Sequence, residues 1–242
     1  MKPTLLRRTA AEFLGTLFLL AAVVGSGIMG EHLAAGNVAL ALLANTLATG
    51  AALTAIILTF GAISGAHLNP PVTIASAWMG DFRWSETFAY VAAQASGAFA
   101  GVAVAHLMFG MPVFSVSVHT RSGPAQTFSE FVATFGLLAV IWGCVRSRPA
   151  ILPFAVGAYI SGAYWFTAST SFANPAVTLA RSFSNTFAGI RLVDAPAFIA
   201  AEVAGAFCAT LLFQWFLPSP VMSHSKAHQE GLASTLESVV NE

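Results

Sequence analysis

The chain has 242 residues, of which 57% are apolar and 8% charged, against about 25% charged in an ordinary soluble domain. Ten Lys and Arg balance ten Asp and Glu. This excludes a disordered chain, which needs charge and few apolar residues. It leaves too few charges to cover a soluble globule, and zero net charge argues against a nucleic-acid partner.

What remains is an integral membrane protein whose surroundings are the lipid bilayer. A spanning helix needs roughly 20 mostly apolar residues. Six runs qualify, at approximately 10–29, 37–60, 84–109, 127–145, 150–167 and 194–217. The first follows Lys2, Arg7 and Arg8 as a signal peptide would, but it belongs to an internal repeat and is read as a span. Two shorter apolar stretches, near 69–79 and 174–184, each open with Asn-Pro. Irregular backbone followed by a short helix is tolerated at membrane depth only beside protein or a water-filled cavity. Both are therefore read as half-helices that dip into the membrane. With both termini inside, seven of the Lys and Arg residues fall on the cytoplasmic side, and Arg121, Arg181 and Arg191 fall outside. That agrees with the positive-inside rule. A polar cytoplasmic tail is expected over 218–242, after a single domain over 1–217. Cys144 and Cys208 lie in apolar runs and match neither a disulfide framework nor a zinc spacing.

Three segment pairs recur in the same order. Ala11-Glu12-Phe13 with Thr16 matches Ser129-Glu130-Phe131 with Thr134, at an offset of 118. Asn69-Pro70-Pro71-Val72-Thr73 matches Asn174-Pro175-Ala176-Val177-Thr178, at 105. Gly97-Ala98-Phe99 matches Gly205-Ala206-Phe207, at 108. The halves, about 5–109 and 127–217, each carry three spans. An odd number inverts the second half relative to the first, and inverted repeats place a substrate site near the midplane. The fold class expected is an all-α membrane protein with six transmembrane helices and two re-entrant half-helices.

Asn is a strong N-cap and Pro is favoured at the first helical position. Singly, each box is a good helix start; repeated inside an inverted duplication, the pair is specific. With Gly15-Thr16, Ser64-Gly65-Ala66-His67-Leu68-Asn69-Pro70 and Phe172-Ala173-Asn174-Pro175-Ala176, the sequence resembles the major intrinsic protein family, the aquaporins and aquaglyceroporins, over about residues 5–217. The resemblance implies one pore per subunit, a homotetramer, small neutral solutes as cargo, and neither a cofactor nor a metal.

Physically, each half-helix N-terminus carries about half a positive charge, and two facing each other at mid-membrane repel cations. Each box Asn can cap its helix through oxygen and offer N–H to the pore. The carbonyls of Gly65, Ala66, His67 and Leu68, and of Thr170, Ser171, Phe172 and Ala173, are expected to form two polar rails. Pro71 stands where the family has Ala and deletes an N–H, so Asn69 is expected to cap through Val72 N–H. Ionisable residues inside spans are costly and usually functional. The resemblance implies that Glu12 and Glu130 are buried and accept hydrogen bonds from the re-entrant loops. Glu202 stands where the first half has Gln94.

Family offsets from the box asparagines place the outer constriction at Thr49, Gly162, Ser171 and Val177. Most family members have Arg at the last of these. A short, uncharged Val beside small Gly162 and Ser171 implies a wider, less polar filter, since diameter, donors and charge set selectivity together. Arg181 lies one turn beyond Val177; it is expected to contact Asp194 or a carbonyl rather than curl back to the lumen. The pattern is similar to the aquaglyceroporin-like channels of rhizobial arsenic-resistance operons. It implies passage of arsenite, related metalloid hydroxides and methylarsenicals, with glycerol and water. The alternatives are an ordinary water and glycerol facilitator and, from another class, a gradient-coupled secondary transporter. No enzyme is expected: His67 lacks a carboxylate partner at a suitable spacing. His224 and His228 belong to a solvated tail.

Overall fold

A computed structural model describes residues 3–216. Lys2, the tail over 218–242 and its two histidines lie outside the described residues. The described chain is helical: α1 (Leu5–Leu33), α2 (Val38–Ser64), α3 (Pro70–Trp78), α4 (Trp84–Met108), α5 (Pro124–Ser147), α6 (Leu152–Phe166), α7 (Pro175–Arg181) and α8 (Ala195–Phe216). Caps written in the sequence start several of them. Thr4 accepts from Arg7 N–H to open α1 and Asn37 from Leu40 N–H to open α2. Gly65, at φ 91°, ends α2 in the left-handed region that glycine alone enters without strain.

Five helices, α1, α2, α4, α5 and α8, are long and apolar enough to cross a membrane. The expected run at 150–167 takes a different form. Its helix, α6, has 15 residues and follows a three-residue 3₁₀ turn, Pro149–Ile151. At 2.0 Å per residue in the turn and 1.5 Å in the helix, the two together rise about 28 Å, near the roughly 30 Å of a hydrocarbon core. The two Asn-Pro stretches form the short helices α3 and α7, as expected.

α1 packs on α2 and α4, and α5 packs in the same way on α6 and α8. Glycines set the closest approaches. A Cβ on Gly97 would press into the Phe13 carbonyl of α1, and one on Gly205 into the Phe131 carbonyl of α5. α2 and α6 meet at Gly50 and Gly157, where a Cβ on Gly157 would lie 2.8 Å from the Gly50 carbonyl oxygen. Outward faces keep large apolar side chains exposed, such as Leu47, Phe88, Phe128 and Trp215. In a bilayer these meet lipid. Gly205→Val is expected to force α8 off α5. Overpacking of this kind costs about 1–3 kcal/mol or more, so the detergent-solubilised variant should unfold at clearly lower temperature than the parent. An unchanged unfolding temperature would show that the contact is not tight.

Candidate functional site

The re-entrant loops that precede α3 and α7 run through the middle of the protein in a shared conformation. Ala66 and Leu68 have φ of 47° and 54°, and Ser171 and Ala173 have 51° and 50°. Such left-handed residues cost about 1–2 kcal/mol each outside glycine. One buried carboxylate holds each loop. Glu12 accepts His67 N–H at 2.9 Å and Leu68 N–H at 2.7 Å. It also accepts Ser64 Oγ–H at 2.6 Å and Gln94 Nε2–H at 2.8 Å. Glu130 accepts Phe172 N–H at 2.9 Å and Ala173 N–H at 2.7 Å. Hydrogen bonds to a charged acceptor contribute about 1.5–3 kcal/mol each, enough to offset the backbone cost.

The box asparagines then cross. Asn69 Nδ2 donates to Ala173 O, and Asn174 Nδ2 donates to Leu68 O, both at 2.8 Å. Each amide carries two N–H groups, so one remains for the cavity that both asparagines line. The caps differ between the halves. Asn174 Oδ1 accepts from Ala176 N–H at 3.1 Å and Val177 N–H at 3.4 Å. Asn69 makes no side-chain cap bond, and its Oδ1 is buried without a partner. The expected bond to Val72 N–H does not form. Pro70 and Pro71 both lack N–H, so the first turn offers nothing to the nearer position that Ala176 fills in the other half.

The cavity has a volume of about 290 Å³. Its apolar wall follows the repeat, with Leu19 and Val23 on α1 answered by Leu137 and Ile141 on α5. Gly65, Ala66, His67, Leu68, Phe172 and Ala173 of the expected rails line it, whereas Thr170 does not. Thr170 instead sits beside the guanidinium of Arg121, with its Oγ1 3.4 Å from Nη1.

Of the four constriction positions, Thr49, Ser171 and Val177 line the cavity and Gly162 does not. Tyr164 takes that station on α6, its hydroxyl 3.4 Å from Thr49 Oγ1. The spacing Leu152, Val156, Ile160, Tyr164 marks the lining face of α6, and Gly162 points off it. This i, i+4 series was the readable signal. The wall on this side is therefore a phenol rather than a glycine gap. Ser171 Oγ is buried with no partner.

Arg181 makes the expected carbonyl contact, to Ala188 O, but departs from expectation in reaching the lumen. It lines the cavity, is 2% exposed, stacks its guanidinium 3.4 Å from the centre of the Phe172 ring, and donates from Nε to Ala188 O. Asp194 instead pairs with Arg191 and accepts Arg121 N–H. Ser76 stands at the repeat position of Arg181 in the first half and lines the other side. Arg121, read in the sequence only as an outer cation, is a buried anchor. It donates to Gly189 O, Ser169 O and Phe187 O and so ties the outer loops to the second re-entrant loop. Burial lowers its guanidinium to about 10, so it stays charged at neutral pH.

Comparison with known proteins agrees with this architecture. A model of the family described as Major intrinsic protein matches residues 1–162. "Aquaglyceroporin AqpS" of Rhizobium meliloti (strain 1021) is 55% identical over 88% of this chain and 91% of its own length. Aquaporin NIP1-4 of Oryza sativa subsp. japonica is 34% identical over 85% of this chain and 75% of its own. The X-ray structure of the aquaglyceroporin from Plasmodium falciparum superposes with a TM-score of 0.69 at 23% identity, over 88% of this chain and 96% of that one, which shows a shared fold.

Two outcomes check this geometry. Pro71→Ala gives Asn69 the missing N–H; a restored N-cap is worth about 1 kcal/mol, so the variant should unfold at higher temperature than the parent. No gain would mean that the Asn69 amide is fixed by Ala173 alone. The Arg191 side chain, then Arg121 N–H, hold the Asp194 carboxyl below its ordinary value of 3.8. Its stabilisation is complete above 3.8 and is lost only as pH falls through the lowered value. Protection of the outer-loop amides, relative to the free-chain exchange rate at each pH, should therefore stay constant from neutral pH down to 3.8, while Asp194→Asn is less protected throughout.

Proposed function

The chain belongs to the major intrinsic protein family and is a multi-pass membrane channel of aquaglyceroporin type for small solutes, and from that premise we propose that it conducts neutral polyhydroxyl solutes, arsenite and related metalloid hydroxides or methylarsenicals among them, with glycerol and water. The observation that carries this reading is the chemistry around Val177. Thr49, Tyr164 and Ser171 bring three hydroxyls to the cavity, and Val177 lies in the same lining. Ser171 Oγ and Asn69 Oδ1 are buried with their hydrogen-bonding capacity unused. Arsenous acid and glycerol each display three hydroxyls on a small neutral body, and such a lining can replace part of their hydration while apolar walls face the rest. Arg181, one turn past Val177, supplies the positive charge that opposes cations in place of an arginine at 177.

We assign the Asn-Pro boxes, Thr49, Tyr164, Ser171, Val177 and the carbonyls of the re-entrant loops to the conduction path, and Glu12 and Glu130 to its scaffold. The tetramer, the bacterial plasma membrane and the cytoplasmic termini belong to the same proposal, as does one channel domain over 1–217 with a polar tail over 218–242. The cation asymmetry of the loops and the family membership support it. A second reading, an ordinary water and glycerol facilitator, is favoured by the bulk of Tyr164 and the charge of Arg181 in the lining.

Influx of arsenite and glycerol into liposomes holding the purified protein, without any ion gradient, separates the two. Rapid, non-saturating influx of both, above empty vesicles, is expected. Vesicles that pass water and glycerol but not arsenite would establish the second reading. Val177→Arg should cut arsenite and glycerol influx by about tenfold, equivalent to about 1.4 kcal/mol of added barrier, and water flux by less. Unchanged flux of the larger solutes in folded protein would remove Val177 from the filter.

A further inference from the structure

Glu202 lies on α8, 0% exposed, where the repeat puts an amide in the other half. The offset that carries Gly97 onto Gly205 carries Gln94 onto Glu202. In the first half, Gln94 Nε2 donates to Glu12 Oε2 at 2.8 Å and to Thr73 Oγ1 at 2.9 Å. In the second half, Thr178 Oγ1 donates to Glu202 Oε1 at 2.6 Å. By the repeat, Glu130 holds the place beside Glu202 that Glu12 holds beside Gln94. Glu202 Oε2 is buried and has no donor among the described residues.

A Gln in this place donates, whereas a carboxylate only accepts. Two ionised carboxylates side by side, both fully buried, repel at close range with little solvent to screen them. One proton between them resolves both problems. Both Glu130 oxygens already accept backbone N–H groups, so Glu130 is the accepting partner of the pair. The proton then belongs on Glu202 Oε2, while Oε1 keeps the Thr178 hydroxyl. The rest of the surroundings offers no other acid. α7 brings Arg181, whose charge acts on Glu202 from within the cavity lining. α3, packed on α8 through Trp78 and Phe207, carries no titratable side chain. α5 contributes Glu130 near this level and Cys144 and Arg146 towards its other end, and α8 itself adds only Cys208. Arg121 and Tyr159 act on Glu130 rather than on Glu202.

We propose that Glu202 is a protonated positioning residue that donates its carboxyl hydrogen to Glu130, and that loss of this proton at alkaline pH loosens the second re-entrant loop and lowers solute permeability. The link is short. Ionised Glu202 repels Glu130, Glu130 holds Ala173 N–H, and Ala173 O receives the Asn69 amide. The first half has no counterpart, since Gln94 does not titrate. The inference rests on the channel reading and not on the choice of solute.

The test is glycerol and water permeability of liposomes holding the full chain, from neutral to alkaline pH, for the parent, Glu202→Gln and Glu202→Leu. The parent should lose permeability severalfold and regain it on return to neutral pH. Glu202→Gln, which can donate as Gln94 does, should conduct at neutral pH and show a flat profile. Glu202→Leu, purified folded, should be poorly permeable throughout. A flat parent profile, or the same alkaline loss in Glu202→Gln, would overturn the proposal. Infrared spectra decide the proton separately: the C=O stretch of a buried protonated carboxyl should be present in the parent and missing from Glu202→Gln. Its absence from the parent sinks the proposal even if no flux is seen, whereas a parent that has the band but passes neither water nor glycerol at any pH contradicts the channel reading instead.

Discussion

Each re-entrant loop turns backbone N–H groups into the protein interior behind the pore wall, and each is met there by a single buried carboxylate. Glu12 holds His67 and Leu68, and Glu130 holds Phe172 and Ala173. With the N–H groups turned toward the glutamates, Ala66 and Leu68 in one loop and Thr170, Ser171 and Ala173 in the other adopt the left-handed region. The loop carbonyls are left for the lumen and for the opposite asparagine. The crossing of Asn69 and Asn174, the start of both half-helices and the hydrogen-bonding capacity of the lining all follow from these two buried acids. Ionisable groups at membrane depth are costly, and here they are satisfied by the loops they shape.

The two halves share this frame but differ where solutes pass. Pro71 leaves Asn69 Oδ1 uncapped, while Ala176 lets Asn174 cap α7. Ser76 stands at the repeat position of Arg181, and both line the cavity. The second half therefore concentrates charge and hydroxyls: Arg181 on Phe172, Ser171 without a partner, and Tyr164 against Thr49. Arg121 holds that side together through three carbonyls from the surrounding loops. A pore built in this way is symmetric in scaffold and asymmetric in chemistry.

The scaffold was legible in the sequence because its causes are local and repeated. The Asn-Pro boxes mark helix starts, the apolar runs mark spans, and Glu12 and Glu130 stand at matched positions. The constriction was less legible. Counting twelve residues back from Asn174 gives Gly162, yet only a face analysis of α6 brings Tyr164 to the wall. The path of a long, flexible arginine is set by tertiary contacts, so nothing local showed that Arg181 would lie on the Phe172 ring or that Arg121 would be buried. The failed cap of Asn69 could have been read from Pro70 and Pro71 together, since neither has an N–H to give.

The most direct measurement is glycerol permeability of liposomes holding Glu12→Gln or Glu130→Gln, each purified as folded protein, beside the parent. An amide keeps the shape of the carboxylate but exposes only one acceptor oxygen and no charge, so each variant should release one loop N–H and lose permeability severalfold while its helices stay intact. Full permeability in both would contradict the account, because the loops would then hold their conformation without the carboxylates.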